Sequence, residues 1–146
     1  MKTRVLFICS QNSCRSQIAE ALLHLRFGDT YEAHSAGTAP SRVNPRAIRV
    51  MAELDVDISG QVSEHVEQYV DRTFDLAVTT CDSAKEACPI FPGAGRLIHR
   101  GFEDPAAAVG SDEAILATFR RVRDEIDQWV QETFDPNNAA RSESTR

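Results

Sequence analysis

The chain has 146 residues, 42% hydrophobic and 26% charged, with a formal net charge of -6, which fits one ordinary globular domain with a real core. That acidic balance argues against general nucleic-acid binding, which needs clustered Lys and Arg to neutralise phosphates. No stretch approaches membrane-spanning length and the apolar run near the N-terminus is too short for a signal-peptide core, so no membrane association and a cytoplasmic location with reduced thiols are expected.

Residues 4–9, with Val5, Leu6, Phe7 and Ile8 in a row, predict a central strand. Residues 16–27 predict a helix with an apolar stripe of Ile18, Ala21, Leu22 and Leu25, closed by Gly28. A short strand over 31–36 ends at Gly37. Asn44 and Pro45 then supply the cap and first turn of a helix running to about residue 54. A weaker helix is expected over 64–70, a buried strand over 76–80 and a short strand over 97–99. Ser111 caps the longest helix, with Ile115, Phe119, Val122, Ile126 and Trp129 on one face, so Trp129 reads as core. This alternation of strand and helix predicts an α/β fold, a parallel sheet covered on both faces. One domain over residues 1–134 is expected, followed by a polar, aperiodic and flexible tail over 135–146.

Open parallel sheets bind ligands beyond the carboxyl ends of their strands, and Cys9, Cys81 and Asp104 each follow a predicted strand. Between Cys9 and Arg15 lie Ser10, Gln11, Asn12, Ser13 and Cys14, and Ser16 follows. A loop of this length between a strand and a helix wraps a tetrahedral oxyanion and aims a thiolate at its centre. Main-chain amides, the helix dipole and the Arg15 guanidinium all favour the anionic forms of sulfur and substrate. The spacing by itself arises readily by chance. Context discriminates: of the four cysteines only Cys9 has an Arg six positions on, and Asn12, Ser13 and Ser16 can brace a tight turn. The competing reading is a buried structural cysteine.

Pro105 holds Asp104 extended and removes the next amide as a donor. A carboxyl beside an oxyanion pocket can stay protonated and donate to a leaving oxygen; the alternative is a solvated loop Asp or a helix cap. Cys81 and Cys88 flank six mostly small and polar residues. Were that segment helical, its two α-carbons would lie roughly 10 Å apart along the axis, whereas a disulfide tolerates about 7 Å at most. Bond formation would therefore require unwinding, which makes the segment a candidate redox switch, the alternative being two unrelated cysteines. Cys14 reads as a packing residue at the loop base. His24, His34, His65 and His99 show no metal-ligand spacing.

The run Val5-Leu6-Phe7-Ile8-Cys9-Ser10-Gln11-Asn12-Ser13-Cys14-Arg15-Ser16-Gln17, with Asp104-Pro105 near the last helix, resembles the low-molecular-weight protein tyrosine phosphatase fold. The added Cys81 and Cys88, the Ser35-Ala36-Gly37 turn and the stretch from Val122 to Ile126 resemble the thioredoxin-coupled arsenate reductases built on that fold. The resemblance implies a three-layer, four-stranded parallel sheet and an enzyme reducing arsenate to arsenite. It implies a relay in which Cys9 attacks arsenate held by the loop and Arg15, Asp104 protonates the departing hydroxyl, Cys81 attacks Cys9, and Cys88 attacks Cys81. Thioredoxin is then the reducing partner, phosphate or sulfate compete for the loop, and no organic cofactor or redox metal is required. In some members a potassium ion lies behind the loop; the matching positions here are Asn12, Glu20, Ser35 and Glu64, where Glu64 departs from the commoner Asp. A Trp of the family pattern is here Arg100.

Three alternatives stay open on the sequence. A phosphatase would use the same loop, but Cys81 and Cys88 would be unnecessary to it. A thiol-based metal-binding protein is conceivable, although the separation of Cys81 and Cys88 fits zinc poorly. Glutaredoxin or a small thiol could replace thioredoxin. A monomer is expected.

Overall fold

The structure is a computed structural model that describes residues 2–81 and 93–137. In chain order it contains β1 (Thr3–Cys9), α1 (Arg15–Phe27), β2 (Tyr31–Gly37), α2 (Pro45–Ala52), a 3-10 turn (Val66–Tyr69), β3 (Phe74–Thr79), β4 (Ala94–His99), a second 3-10 turn (Pro105–Ala107) and α3 (Asp112–Phe134). The four strands form one sheet in the order β2-β1-β3-β4, and every neighbouring pair is parallel. β1 is central. Its register sets Cys9 beside Gly37 and Ile8 beside both Ala36 and Thr79, so the strand ends that matter for chemistry share one edge.

A strand with neighbours on both sides and covered on both faces must be apolar throughout, and Val5, Leu6, Phe7 and Ile8 are all fully buried. Val5 and Phe7 join the larger apolar cluster, to which α1, α2 and α3 all contribute. Leu6 and Ile8 join a smaller one with Cys9, Ala36, Tyr69, Phe74, Ala77 and Cys81. In α3 the Ser111 hydroxyl accepts from the Ala114 amide at 3.1 Å, and Asp112 and Glu113 in the first turn complement the helix dipole. A two-pronged pair, Arg26 to Asp127 at 2.9 and 2.7 Å, ties α1 to α3. Asn44 caps α2 through the Arg46 amide at 2.8 Å, with Pro45 in the first turn.

Several expected elements shift. The helix expected over 64–70 is only the Val66–Tyr69 turn. Glu64 cannot join it, because its amide donates to Asn12 Oδ1 at 2.8 Å and its carbonyl accepts from the Gly37 amide at 2.8 Å. α2 stops at Ala52, and Asp55 beyond it takes a positive φ of 61°. β3 and β4 begin earlier than expected, at Phe74 and Ala94, which face each other in the ladder. Leu25, expected on the buried stripe of α1, is 46% exposed. The first half of that helix is buried on nearly every side, and Ala19 and Leu23 take the core positions. Trp129 is half-buried, with its ring edge-on to Phe7, Phe102 and Phe134.

Candidate active site

Six consecutive carbonyls of the loop after β1 are bonded from outside. Those of Cys9, Ser10, Gln11 and Ser13 accept from the amides of Thr38 (3.2 Å), Ala39 (2.7 Å), Ser41 (3.0 Å) and Asn44 (3.0 Å). That of Asn12 accepts from Gln17 Nε2 at 3.0 Å and that of Cys14 from the Ile18 amide at 2.8 Å. In a trans peptide the N–H of the next residue points the opposite way, so the amides of residues 10–15 turn inward. The cradle is thus a product of its back wall.

Two residue types make the loop geometrically possible. Asn12 adopts a φ of 49°, a left-handed conformation that Asn tolerates better than most residues. Gly37, at the end of β2, lies so close that a β-carbon there would sit 2.7 Å from the Ser10 oxygen and 2.8 Å from the Asn12 nitrogen. No other residue lets the loop rest against β2.

Cys9 Sγ accepts from the Asn12 amide at 3.1 Å and lies 2.8 Å from Ser16 Oγ. The direction of the second bond follows from its neighbours. The Glu64 amide can only donate, which makes Asn12 Oδ1 the acceptor and leaves Asn12 Nδ2 to donate to Ser16 Oγ at 2.8 Å. The Ser16 proton is then free for the sulfur, and two hydrogen-bond donors converge on it. Cys9 is 2% exposed, yet it lines a pocket with Ser10, Gln11, Ser13, Cys14, Arg15, Asp104 and Ala106.

Cys14, in the same loop, has the opposite character. It belongs to the larger apolar cluster, and burial pushes its thiol up to about 12 against the lowering effect of the Ser13 hydroxyl. It stays protonated at neutral pH.

Arg15 is buried. Its Nη1 donates to the Phe102 carbonyl at 3.1 Å and its Nη2 stands 3.7 Å from Asp104 Oδ2. Asp104 Oδ1 accepts from the Ala106 amide at 3.0 Å and so caps the Pro105–Ala107 turn. One carboxylate oxygen is structural and the other faces the guanidinium. Cys81, also buried, follows β3 and lines an adjoining groove with Ser10, Arg15, Gly101, Phe102, Glu103 and Asp104. Cys9 and Cys14 are free thiols; Cys88 lies outside the described residues.

Behind the loop, Asn12, Glu20, Ser35 and Glu64 form two bonded pairs. Ser35 Oγ donates to Glu20 Oε1 at 2.6 Å, and Asn12 takes the Glu64 amide. Tyr69 Oη donates to Glu64 Oε1 at 2.9 Å. Burial raises the Glu20 carboxyl above its ordinary value, Ser35 and His34 oppose this, and the Glu64 charge adds to the rise. An all-oxygen set with two acidic groups in mutual repulsion fits a hard cation. Among the described residues no three or more His, Cys, Asp or Glu side chains gather into a metal-holding group.

Sequence reading missed Gln17, which is fully buried and bonds Asn12, Val62 and Gln61, and the carbonyl of Phe102. Arg100, of unknown effect from sequence, lays its guanidinium over the Phe102 ring at 4.4 Å.

Residues 4–143 match the family described as low molecular weight phosphotyrosine protein phosphatase. The chain is 43% identical over 130 residues to an arsenate reductase of Halalkalibacterium halodurans, covering 89% of this chain and 94% of that one. It is 41% identical over 128 residues to an arsenate reductase of Bacillus subtilis, covering 88% and 92%. A solved structure of an arsenate reductase in the phosphate-binding state superposes with a TM-score of 0.77 at 32% identity, covering 90% of this chain and 95% of that one.

Proposed function

Because the chain belongs to the low molecular weight phosphotyrosine protein phosphatase family, we propose that it is an arsenate reductase in which Cys9, Cys81 and Cys88 pass a disulfide outward to thioredoxin. The observation that carries this reading is the shared rim. Cys9 sits inside the inward-facing amides, and Cys81, at the end of the neighbouring strand, lines the adjoining groove with Arg15 and Asp104. A phosphatase needs the first feature and has no use for the second.

The chemistry follows from those positions. The oxyanion lies in the amides of residues 10–15 with Arg15 beside it. Cys9 Sγ attacks arsenic, and Asp104 hands a proton to the departing hydroxyl, which leaves as water. Cys81 then attacks Cys9 Sγ; the electron pair of the sulfur–arsenic bond stays on arsenic, taking it from arsenate to arsenite. The resulting Cys9–Cys81 disulfide is attacked at Cys81 by Cys88, which frees Cys9 as a thiolate. A dithiol partner reduces the Cys81–Cys88 bond, and every sulfur step is a thiolate displacement. No organic cofactor or redox metal enters. Asn12, Glu20, Ser35 and Glu64 would hold a potassium ion, whose charge would offset the repulsion between the two carboxylates. A relay that starts from reduced thiols suits a reducing compartment, and among the described residues no helix is long and apolar enough to cross a membrane.

Arsenate-dependent NADPH consumption with thioredoxin and its reductase, run beside glutathione and glutaredoxin, tests the reading. Turnover with thioredoxin that Cys88→Ser abolishes supports it; repeated turnover by Cys88→Ser overturns the relay. Steady hydrolysis of a phosphate monoester with no arsenate reduction would make the protein a phosphatase.

A further inference from the structure

A guanidinium has five N–H donors in a fixed fork, and which of them face the oxyanion depends on what holds the others. Arg15 spends Nη1 on the Phe102 carbonyl at 3.1 Å, while Asp104, whose side chain is 43% exposed, stands 3.7 Å from Nη2. Without the carbonyl, nothing in that pair of contacts would stop the guanidinium from closing onto Asp104, a competitor for any bound anion. The carbonyl is itself clamped. The Phe102 amide donates to the Thr80 carbonyl at 3.0 Å. The Phe102 ring, 7% exposed, meets the edge of Trp129 at 5.8 Å and carries the Arg100 guanidinium at 4.4 Å. Trp129 in turn leans on Phe7 of β1 at 6.3 Å and on Phe134 at 5.5 Å.

We propose that Phe102 is a positioning residue for oxyanion binding: its ring, held between Arg100 and Trp129, fixes the main-chain carbonyl that aims Arg15 into the pocket. Phe102 touches no reacting atom and acts through Arg15. The role extends the proposed function and rests on its assignment of Arg15 as an oxyanion ligand. The same clamp links the oxyanion site to Cys81, because Thr80, which anchors the Phe102 amide, precedes Cys81 in the chain. Arg100, outside the pocket, contributes by covering the free face of the ring.

The test uses the full reduced chain and inorganic phosphate as the probe. Calorimetry gives the phosphate dissociation constant, thermal unfolding gives stability, and arsenate kinetics give KM and kcat. Phe102→Leu keeps an apolar side chain but loses both aromatic contacts; it is expected to weaken phosphate binding about tenfold and raise the arsenate KM to match, with kcat within about twofold. Arg100→Ala, a change at an exposed position, is expected to weaken phosphate binding about threefold and carries the test if Phe102→Leu does not fold. Ile126→Val, a fully buried change on α3, serves as the stability control and should leave phosphate affinity unaltered. Unchanged phosphate affinity in folded Phe102→Leu, or in Arg100→Ala, overturns the proposal, as does an equal loss in Ile126→Val. Failure of the unaltered protein to bind phosphate would instead overturn the reading of the loop itself, and this inference with it.

Discussion

On one face of the sheet Val5 and Phe7 meet the apolar sides of α1, α2 and α3, and a thiol found there is that of Cys14. On the other, Leu6 and Ile8 meet a smaller set that includes Cys9 and Cys81. Cys14 and Cys9 belong to one loop, five positions apart, and differ in what surrounds them. The large cluster removes water from Cys14 and holds its proton in place; at the rim of the small one, Cys9 receives two hydrogen-bond donors. The lesson is that the setting of each sulfur in this loop follows its neighbourhood, since one thiol is enclosed by apolar side chains and the other is met by hydrogen-bond donors.

The sharpest way to break the comparison is to exchange the sulfurs' fates. Cys9→Ser should remove arsenate turnover, by about 10⁴-fold or more, whereas Cys14→Ala should keep turnover within about threefold and cost about 1 kcal/mol of stability as a small core truncation. Turnover measured beside thermal unfolding separates the two, and equal loss of turnover in both variants would show that the sulfurs are not distinct.

Gly37→Ala strikes the wall shared by loop and sheet. A methyl group 2.7 Å from the Ser10 oxygen must push the loop off β2, so a stability loss of about 2 kcal/mol or more and weakened phosphate binding are expected together. Denaturant unfolding and calorimetry would read both, and a stable variant with full phosphate affinity would refute the close approach.

Ser16→Ala removes one of the two donors to Cys9 and leaves the apolar face untouched. Alkylation of Cys9 by iodoacetamide at neutral pH should slow by about three- to tenfold, with little change in melting temperature.

The smallest effect lies on the opposite side of the comparison, at the Arg26–Asp127 pair between α1 and α3. Burial alone would raise the Asp127 carboxyl, but the bonds from Arg26 and Gln131 outweigh it and leave the group below its ordinary 3.8. A lowered folded value contributes stability above 3.8 that is lost as pH falls through the folded value. Asp127→Asn should therefore lower stability at pH 7 by about 1 kcal/mol or less, and the deficit should vanish in acid, once Asp127 in the unaltered protein is itself protonated. A deficit independent of pH would assign the loss to packing.

Much of the fold was legible because its signals are local. Consecutive apolar residues mark β1, Asn44-Pro45 marks the start of α2, and Ser111 marks the start of α3. Leu25 misled, since periodicity says which residues share a face and not how far the core reaches along it; the core encloses the first half of α1 and leaves Leu25 in water. Glu64 misled for a related reason: helical propensity assigned it to a helix, but Asn12 and Gly37 claim its amide and carbonyl. In the site, Cys9, Asp104 and Cys81 were legible as residue types that follow strands, and Arg15 by its spacing from Cys9. Gln17, Gly37 and the Phe102 carbonyl were legible only as sequence letters, because their roles are hydrogen bonds and close approaches between distant segments.

The amino-acid order alone determined the alternation of strand and helix, the sheet edge on which chemistry collects, and the loop length that suits a tetrahedral anion, all consequences of local propensity and spacing. The tertiary structure decided the direction of the loop amides, the different fates of Cys9 and Cys14, and the aim of Arg15. Those depend on which groups from β2, the segment after it and the loop after β4 reach the carbonyls, sulfurs and guanidinium first. Hydrogen-bond direction and burial are properties of neighbours in space, and spacing along a chain does not carry them.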